Sequence, residues 1–120
     1  MCQIIEKLIA RGVPYDEVME RFVNDQNFYF DYLHQFTQDE YIVLLEQALE
    51  QSELEDAFKA AHTLKGLMAN LGLLPLVDEL SPLVELLRAE SLEGTDQLFY
   101  SFKAIHQEFC DFIKKNVPKS

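Results

Sequence analysis

Glycine and proline are scarce in this chain. Four of each in 120 residues leave few breaks, so long periodic segments dominate and an all-α protein is expected. Cysteine is scarcer, with two residues, Cys2 and Cys110, near opposite ends. Two cysteines do not make a disulfide framework; reduced thiols in the cytosol fit better. No apolar run approaches the length of a membrane span, and no secretory leader is expected before the first helical pattern. A cytoplasmic protein without a membrane partner is the expectation. No G-x-x-x-x-G-K-[ST] loop or other nucleotide fingerprint is present. Basic residues are outnumbered, with ten Lys and Arg against 21 Asp and Glu and a net charge of −11. Such a chain repels nucleic acid, so no nucleic-acid partner is expected.

What is present is apolar and aromatic. The apolar fraction is 48%, with nine Phe and five Tyr, which excludes a disordered chain. The length suits one domain, residues 1–120, with a true core. There is no internal repeat and no linker that would divide it.

Apolar spacing sets out the elements. Residues Gln3 to Arg11 carry Ile4, Ile5, Leu8 and Ile9 on one face, and Gly12 ends the run. A short helix begins near Pro14 with Val18 and Phe22 inward. Asp25 can cap Gln26 to Phe36, which is rich in Phe28, Phe30, Leu33 and Phe36. Thr37 with Glu40, and Ser52 with Glu55, read as capping boxes. The first opens a helix to about Gln51, with Tyr41, Leu44, Leu45, Ala48 and Leu49 inward. The second opens a central helix from Glu53 to about Leu71, stopped by Gly72. The next helix spans about Leu74 to Ala89, with Leu76, Val77, Leu80, Leu83, Val84 and Leu87. Pro82 inside it predicts a kink or a broken turn near Asp78 to Pro82. Thr95 can cap the last helix, striped by Leu98, Phe102, Ile105, Phe109 and Ile113. Four long helices joined by short loops describe an antiparallel four-helix bundle. The additional short N-terminal helices would cover one end or side, and the core bundle runs from about 26 to 116.

The central helix carries the chemistry. On a wheel of about 100° per residue, Ala57, Ala61, Leu64, Met68 and Leu71 fall within about 40° of one direction, the core. His62 lies roughly 140° away, on the solvent side. Gly66 stands at i+4, where a side chain would lean back over the imidazole. A mid-helix glycine is unfavourable by about 1 kcal/mol relative to alanine, and open access to His62 is a reason for it. Lys65 at i+3 can hold a charged group on the imidazole. Between Phe22 and Leu87 the only basic residues are Lys59 and Lys65, and from Ala57 to Val77 there is no acid. A small positive island in an acidic molecule is expected around His62. Phe58 and Ala69 surround the same patch. An exposed imidazole beside an ammonium group and a missing side chain suits the carrying of a phosphoryl group.

Other chemistries find less. A di-iron bundle needs two Glu-x-x-His pairs and two further carboxylates; the nearest approach is Asp31-x-x-His34. His34 and His106 flank apolar stripes and read as packed or surface residues, and no metal site is expected. No serine or cysteine is expected to have a histidine partner in helical register, so nucleophilic hydrolysis lacks support.

The string His62-Thr63-Leu64-Lys65-Gly66, followed by Asn70-Leu71-Gly72, resembles the signature of histidine phosphotransfer (HPt) domains, over about Asp16 to Ile113. The resemblance implies a four-helix bundle with accessory helices. It implies that His62 accepts a phosphoryl group from a receiver-domain phospho-aspartate and passes it to an aspartate on another receiver. Lys65 would steady the phosphate and Gly66 would clear the approach. Receivers of response regulators or hybrid histidine kinases would be the partners, met by a rim of Phe58, Lys59, Leu67 and Ala69. Arg88, on the following helix, matches a position where some relatives carry a basic residue. Leu67 and Met68 replace the small residues frequent after the glycine. The chain would be a phosphoryl carrier without kinase activity or cofactor of its own, with Mg²⁺ held by the partner receiver. A monomeric, free-standing protein is expected. The alternative is a helical module that docks and sequesters receivers, or other partners, without chemistry.

Overall fold

A computed structural model describes residues 2–119. Among them lie seven helices and no strand: α1 (Cys2–Ala10), α2 (Tyr15–Arg21), α3 (Gln26–Phe36), α4 (Tyr41–Glu50), α5 (Leu54–Asn70), α6 (Leu74–Arg88) and α7 (Thr95–Asn116). The molecule measures 44 × 24 × 21 Å. Helix α5 packs on α4 and α6, α6 packs on α7, and α7 meets α4 to close the ring. Short loops make successive helices antiparallel. The expected all-α bundle is therefore present. Among the described residues no helix is long and apolar enough to cross a membrane.

The short helices gather at the end of the bundle where α5 turns into α6. Helix α3 packs on α7. Arg11, just after α1, forks onto Glu108 of α7 and lies 4.1 Å from the centre of the Phe112 ring. The guanidinium combines a bidentate carboxylate contact with an aromatic face, which a lysine does not reproduce.

The core is as patterned along α5, where Ala57, Ala61, Leu64 and Met68 are buried, joined by Ala60 and by Leu71 just past its end. Elsewhere the stripes shift. In α1, Ile4 and Leu8 are buried but Ile9 is exposed, and in α4 Tyr41 and Leu44 are exposed beside buried Leu45, Ala48 and Leu49. In α7, Ile105 is exposed, while Phe99, His106, Cys110 and Phe112 are buried.

Helix starts differ from the sequence pattern for two reasons. Asp25 does cap α3, accepting from the Phe28 amide at 3.1 Å. Thr37 and Ser52 do not cap α4 and α5, and Thr95 is the first residue of α7 rather than its cap. The hydroxyls of Thr37 and Thr95 donate backward, to the carbonyls of His34 and Leu92. This is the local competition that hydroxyl side chains offer the backbone. Ser52 sits at φ +57 as the left-handed residue closing α4, with its amide on Leu49 O and the Glu53 amide on Ala48 O. The residues preceding α5 and α7 are Glu53 and Gly94, and neither makes a side-chain cap. Pro82 does not break a turn: α6 runs continuously from Leu74 to Arg88.

Candidate functional site

Helix α5 is anchored at its C-terminus by an almost complete set of caps. Gly72, at φ +77, gives its amide to Ala69 O, and the Leu73 amide reaches Met68 O. Arg21 of α2 donates to the carbonyls of Asn70 at 3.2 Å and Ala69 at 3.4 Å, and the buried Tyr29 hydroxyl donates to Leu71 O at 2.8 Å. Carbonyls that a helix end leaves without intrahelical partners thus find them in α2 and α3. The sequence pattern did not reveal Arg21 or Tyr29 in this role. Their partners are backbone atoms about 40 to 50 residues away, beyond the reach of local spacing. The result is a fixed rod on which His62 sits near the middle.

His62 is exposed, as the wheel requires. Its imidazole stacks on the phenyl ring of Phe58, one turn earlier, with centroids 5.6 Å apart and planes inclined by 15°. Such ring pairs contribute about 0.5–1.5 kcal/mol beyond area burial. Phe58 is half-buried and packs against the core. The Arg88 guanidinium lies 5.1 Å from the centre of the same phenyl ring. Because Pro82 leaves α6 continuous, Arg88 reaches the site and joins it through Phe58.

Gly66 is exposed, and a methyl group placed on it would meet nothing within 4 Å. The fold therefore gives no packing reason for glycine there. Lys65 is half-buried and makes no ion pair with a described residue. The positive island is smaller than the sequence suggested. Lys59 pairs with Glu55 at 3.3 Å and Arg88 with Glu85 at 3.4 Å. The acid-free stretch begins at Ala57, but Glu55 stands four residues before Lys59 and reaches it, a spacing readable in the sequence. Both pairs are solvent-exposed and each contributes at most about 1 kcal/mol.

The remaining rim residues divide. Ala69 is exposed two turns beyond His62. Lys59 lines a groove with Leu44, Gln47 and Asp56, toward α4. Leu67, 39% exposed, lines a different groove with Tyr32, Phe36 and Asn70, toward α3. Leu67 is not brought to the Phe58–Arg88 side of His62. Its wheel position, five residues on, already turns it to the other flank.

Two other histidines are accounted for by packing. His34 Nε2 lies 2.8 Å from Val117 O. His106 is 6% exposed, held between Phe36 and Phe102, with Cys110 Sγ 3.8 Å from its Nδ1. This i, i+4 pair corrects the expectation that no cysteine has a histidine in register. It is not a nucleophile pair. Burial lowers the imidazole to about 4 and raises the Cys110 thiol to about 11, so both groups are neutral near pH 7. Cys110 is a free thiol; the side chain of Cys2 lies outside the described residues. Among the described residues, no three His, Cys, Asp or Glu side chains gather as a metal site.

A family model described as "Hpt domain" matches residues 31–112. The chain belongs to the Hpt domain family. The match begins within α3, so α1 and α2 lie outside it and it is shorter than the 16–113 resemblance. Comparison with curated proteins and with solved structures gave no match. Hpt domains work in histidine phosphotransfer in phosphorelays, passing phosphate to receiver domains. In this Hpt domain the only histidine on the exposed face of α5 is His62.

Proposed function

We propose that His62 carries a phosphoryl group between receiver-domain aspartates, in a chain that folds as one domain over its whole length. The neutral imidazole would use the lone pair of one ring nitrogen to attack the phosphorus of an aspartyl phosphate in line. An N–P bond forms, the P–O bond to the aspartate breaks, and its electron pair returns to the carboxylate. The other ring nitrogen then carries the proton of an imidazolium. Transfer to a second receiver reverses these steps. Little covalent help is needed for a loose transition state, so position and electrostatics are the protein's contribution. Lys65, with no competing ion pair among the described residues, is the side chain available to the phosphoryl oxygens. Gly66 leaves the approach clear, and Lys59, Leu67, Ala69 and Arg88 form the docking rim. Mg²⁺ belongs to the receiver in this reading, and the carrier acts as a monomer.

The observation that carries the proposal is the exposed His62 on α5, one turn before a glycine whose missing side chain no packing contact explains. Incubation with a phosphorylated receiver should move label to this chain, and His62→Gln should abolish the transfer. Label retained on that variant would refute the assignment. If His62→Ala leaves biological output intact while a rim substitution such as Leu67→Asp destroys it, the chain is a sequestering module instead.

A further inference from the structure

We infer that Phe58 is a positioning residue that sets the plane of the His62 imidazole. The inference rests on the phosphorelay reading above and deepens it. From sequence, Phe58 belonged to a docking rim. The structure gives its ring other work. One side of the molecule's α5–α6 seam holds three groups in series: Arg88, Phe58 and His62. The guanidinium is 5.1 Å from the phenyl centroid, and the imidazole is 5.6 Å from it and inclined by 15°. Glu85 holds Arg88 from its own helix. Phe58 packs against the core at its base, so the phenyl ring is supported from below and flanked by Arg88.

A ring nitrogen's lone pair lies in the plane of the ring. An exposed imidazole on a helix otherwise turns about χ2 through a broad range, and its lone pair turns with it. Stacking within 15° of the phenyl ring narrows that range. Phe58, His62 and Gly66 occupy one i, i+4 row of α5. Phe58 therefore bounds one face of the imidazole, and the opposite face looks along the row toward open space at Gly66. The oxygens of an attacked phosphoryl group radiate around the N–P axis, above and below the ring plane. Those on the Gly66 side have room, and Lys65 follows His62 at i+3 in that direction along α5. Phe58 thus aims the attacking pair before a receiver arrives, which is the pre-orientation that lowers barriers in bimolecular transfer.

The test separates positioning from docking by using two donors, a phosphorylated receiver and the small molecule phosphoramidate, which needs no docking surface. Phe58→Leu and Phe58→Met remove the ring and retain an apolar side chain; Phe58→Tyr retains the ring. In the wild type, the carbon-bound ring protons of His62 should resonate upfield of their position in Phe58→Leu, and Phe58→Tyr should keep that shift. Both non-aromatic variants should take up label about tenfold more slowly from both donors, with Phe58→Tyr near wild type. Slower uptake from the receiver alone would make Phe58 a docking residue and overturn the inference, as would an upfield shift that survives in Phe58→Leu. Wild-type chain that takes no label from either donor would instead remove the phosphorelay reading, and the inference with it.

Discussion

The Cγ2 methyl of Val18 stands 2.5 Å from where a side chain at Gly72 would begin. No real side chain tolerates that approach, and Pro14 and Val13 crowd the same point at 3.2 and 3.3 Å. Gly72 is also in the left-handed region, at φ +77. Gly72→Ala combines overpacking with backbone strain, each of which costs about 1–3 kcal/mol. Urea denaturation should show a loss of about 2 kcal/mol or more.

Gly66→Ala should do the opposite to the fold. Its added methyl meets nothing and lies within a helix. A gain approaching 1 kcal/mol is expected from helix propensity alone. Phosphotransfer from a receiver should slow, because the methyl stands in the approach to His62. A variant that melts higher and transfers more slowly would mark Gly66 as retained for access. Faster or unchanged transfer would remove that role.

His106 makes the fold sensitive to acid. Burial lowers its imidazole from 6.5 in the unfolded chain to about 4 in the folded one. The unfolded chain therefore binds the proton first, and stability falls as pH drops from about 6.5 toward 4. It is fully present above 6.5. At about 1.4 kcal/mol per unit of pKa the whole effect is about 3 kcal/mol. His106→Leu should flatten the fall of Tm between pH 6.5 and 5, where most carboxylates remain charged. An equal slope in both proteins would count against a neutral buried His106.

Lys65 and Lys59 should differ. Lys59 shares its charge with Glu55 at 3.3 Å, and Lys65 has no such partner among the described residues. Lys65→Gln should slow uptake from phosphoramidate by about tenfold, short of the ~10²–10³ reached by donors in enclosed sites. Lys59→Gln should change it little. Thermal unfolding should be nearly unaltered in both, since neither residue belongs to the core.

The sequence made α5 legible because Ala57, Ala61, Leu64, Met68 and Leu71 alternate by four and three, and all five are buried. His62, Gly66 and Lys65 follow from that wheel. Helix starts were less legible, because Thr and Ser serve two competing geometries with the same spacing. Thr37 and Thr95 bond the turn behind them, and Ser52 takes a left-handed conformation more often filled by glycine or asparagine. The Phe58–Arg88 relation was hidden for a different reason. It depends on α6 remaining continuous through Pro82, a tertiary outcome that local proline chemistry argues against. The i, i+4 relations of Glu55 with Lys59 and His106 with Cys110 were open to reading, and each modifies the first impression of charge or reactivity.

One imidazole on one open face leaves room for a single visitor. With His62 as the carrier, a donor would have to depart before an acceptor could arrive, so the two would compete for the same ground. Traffic would then run as a two-stroke cycle, and a surplus of either visitor would slow the circuit by occupying the carrier in its wrong state.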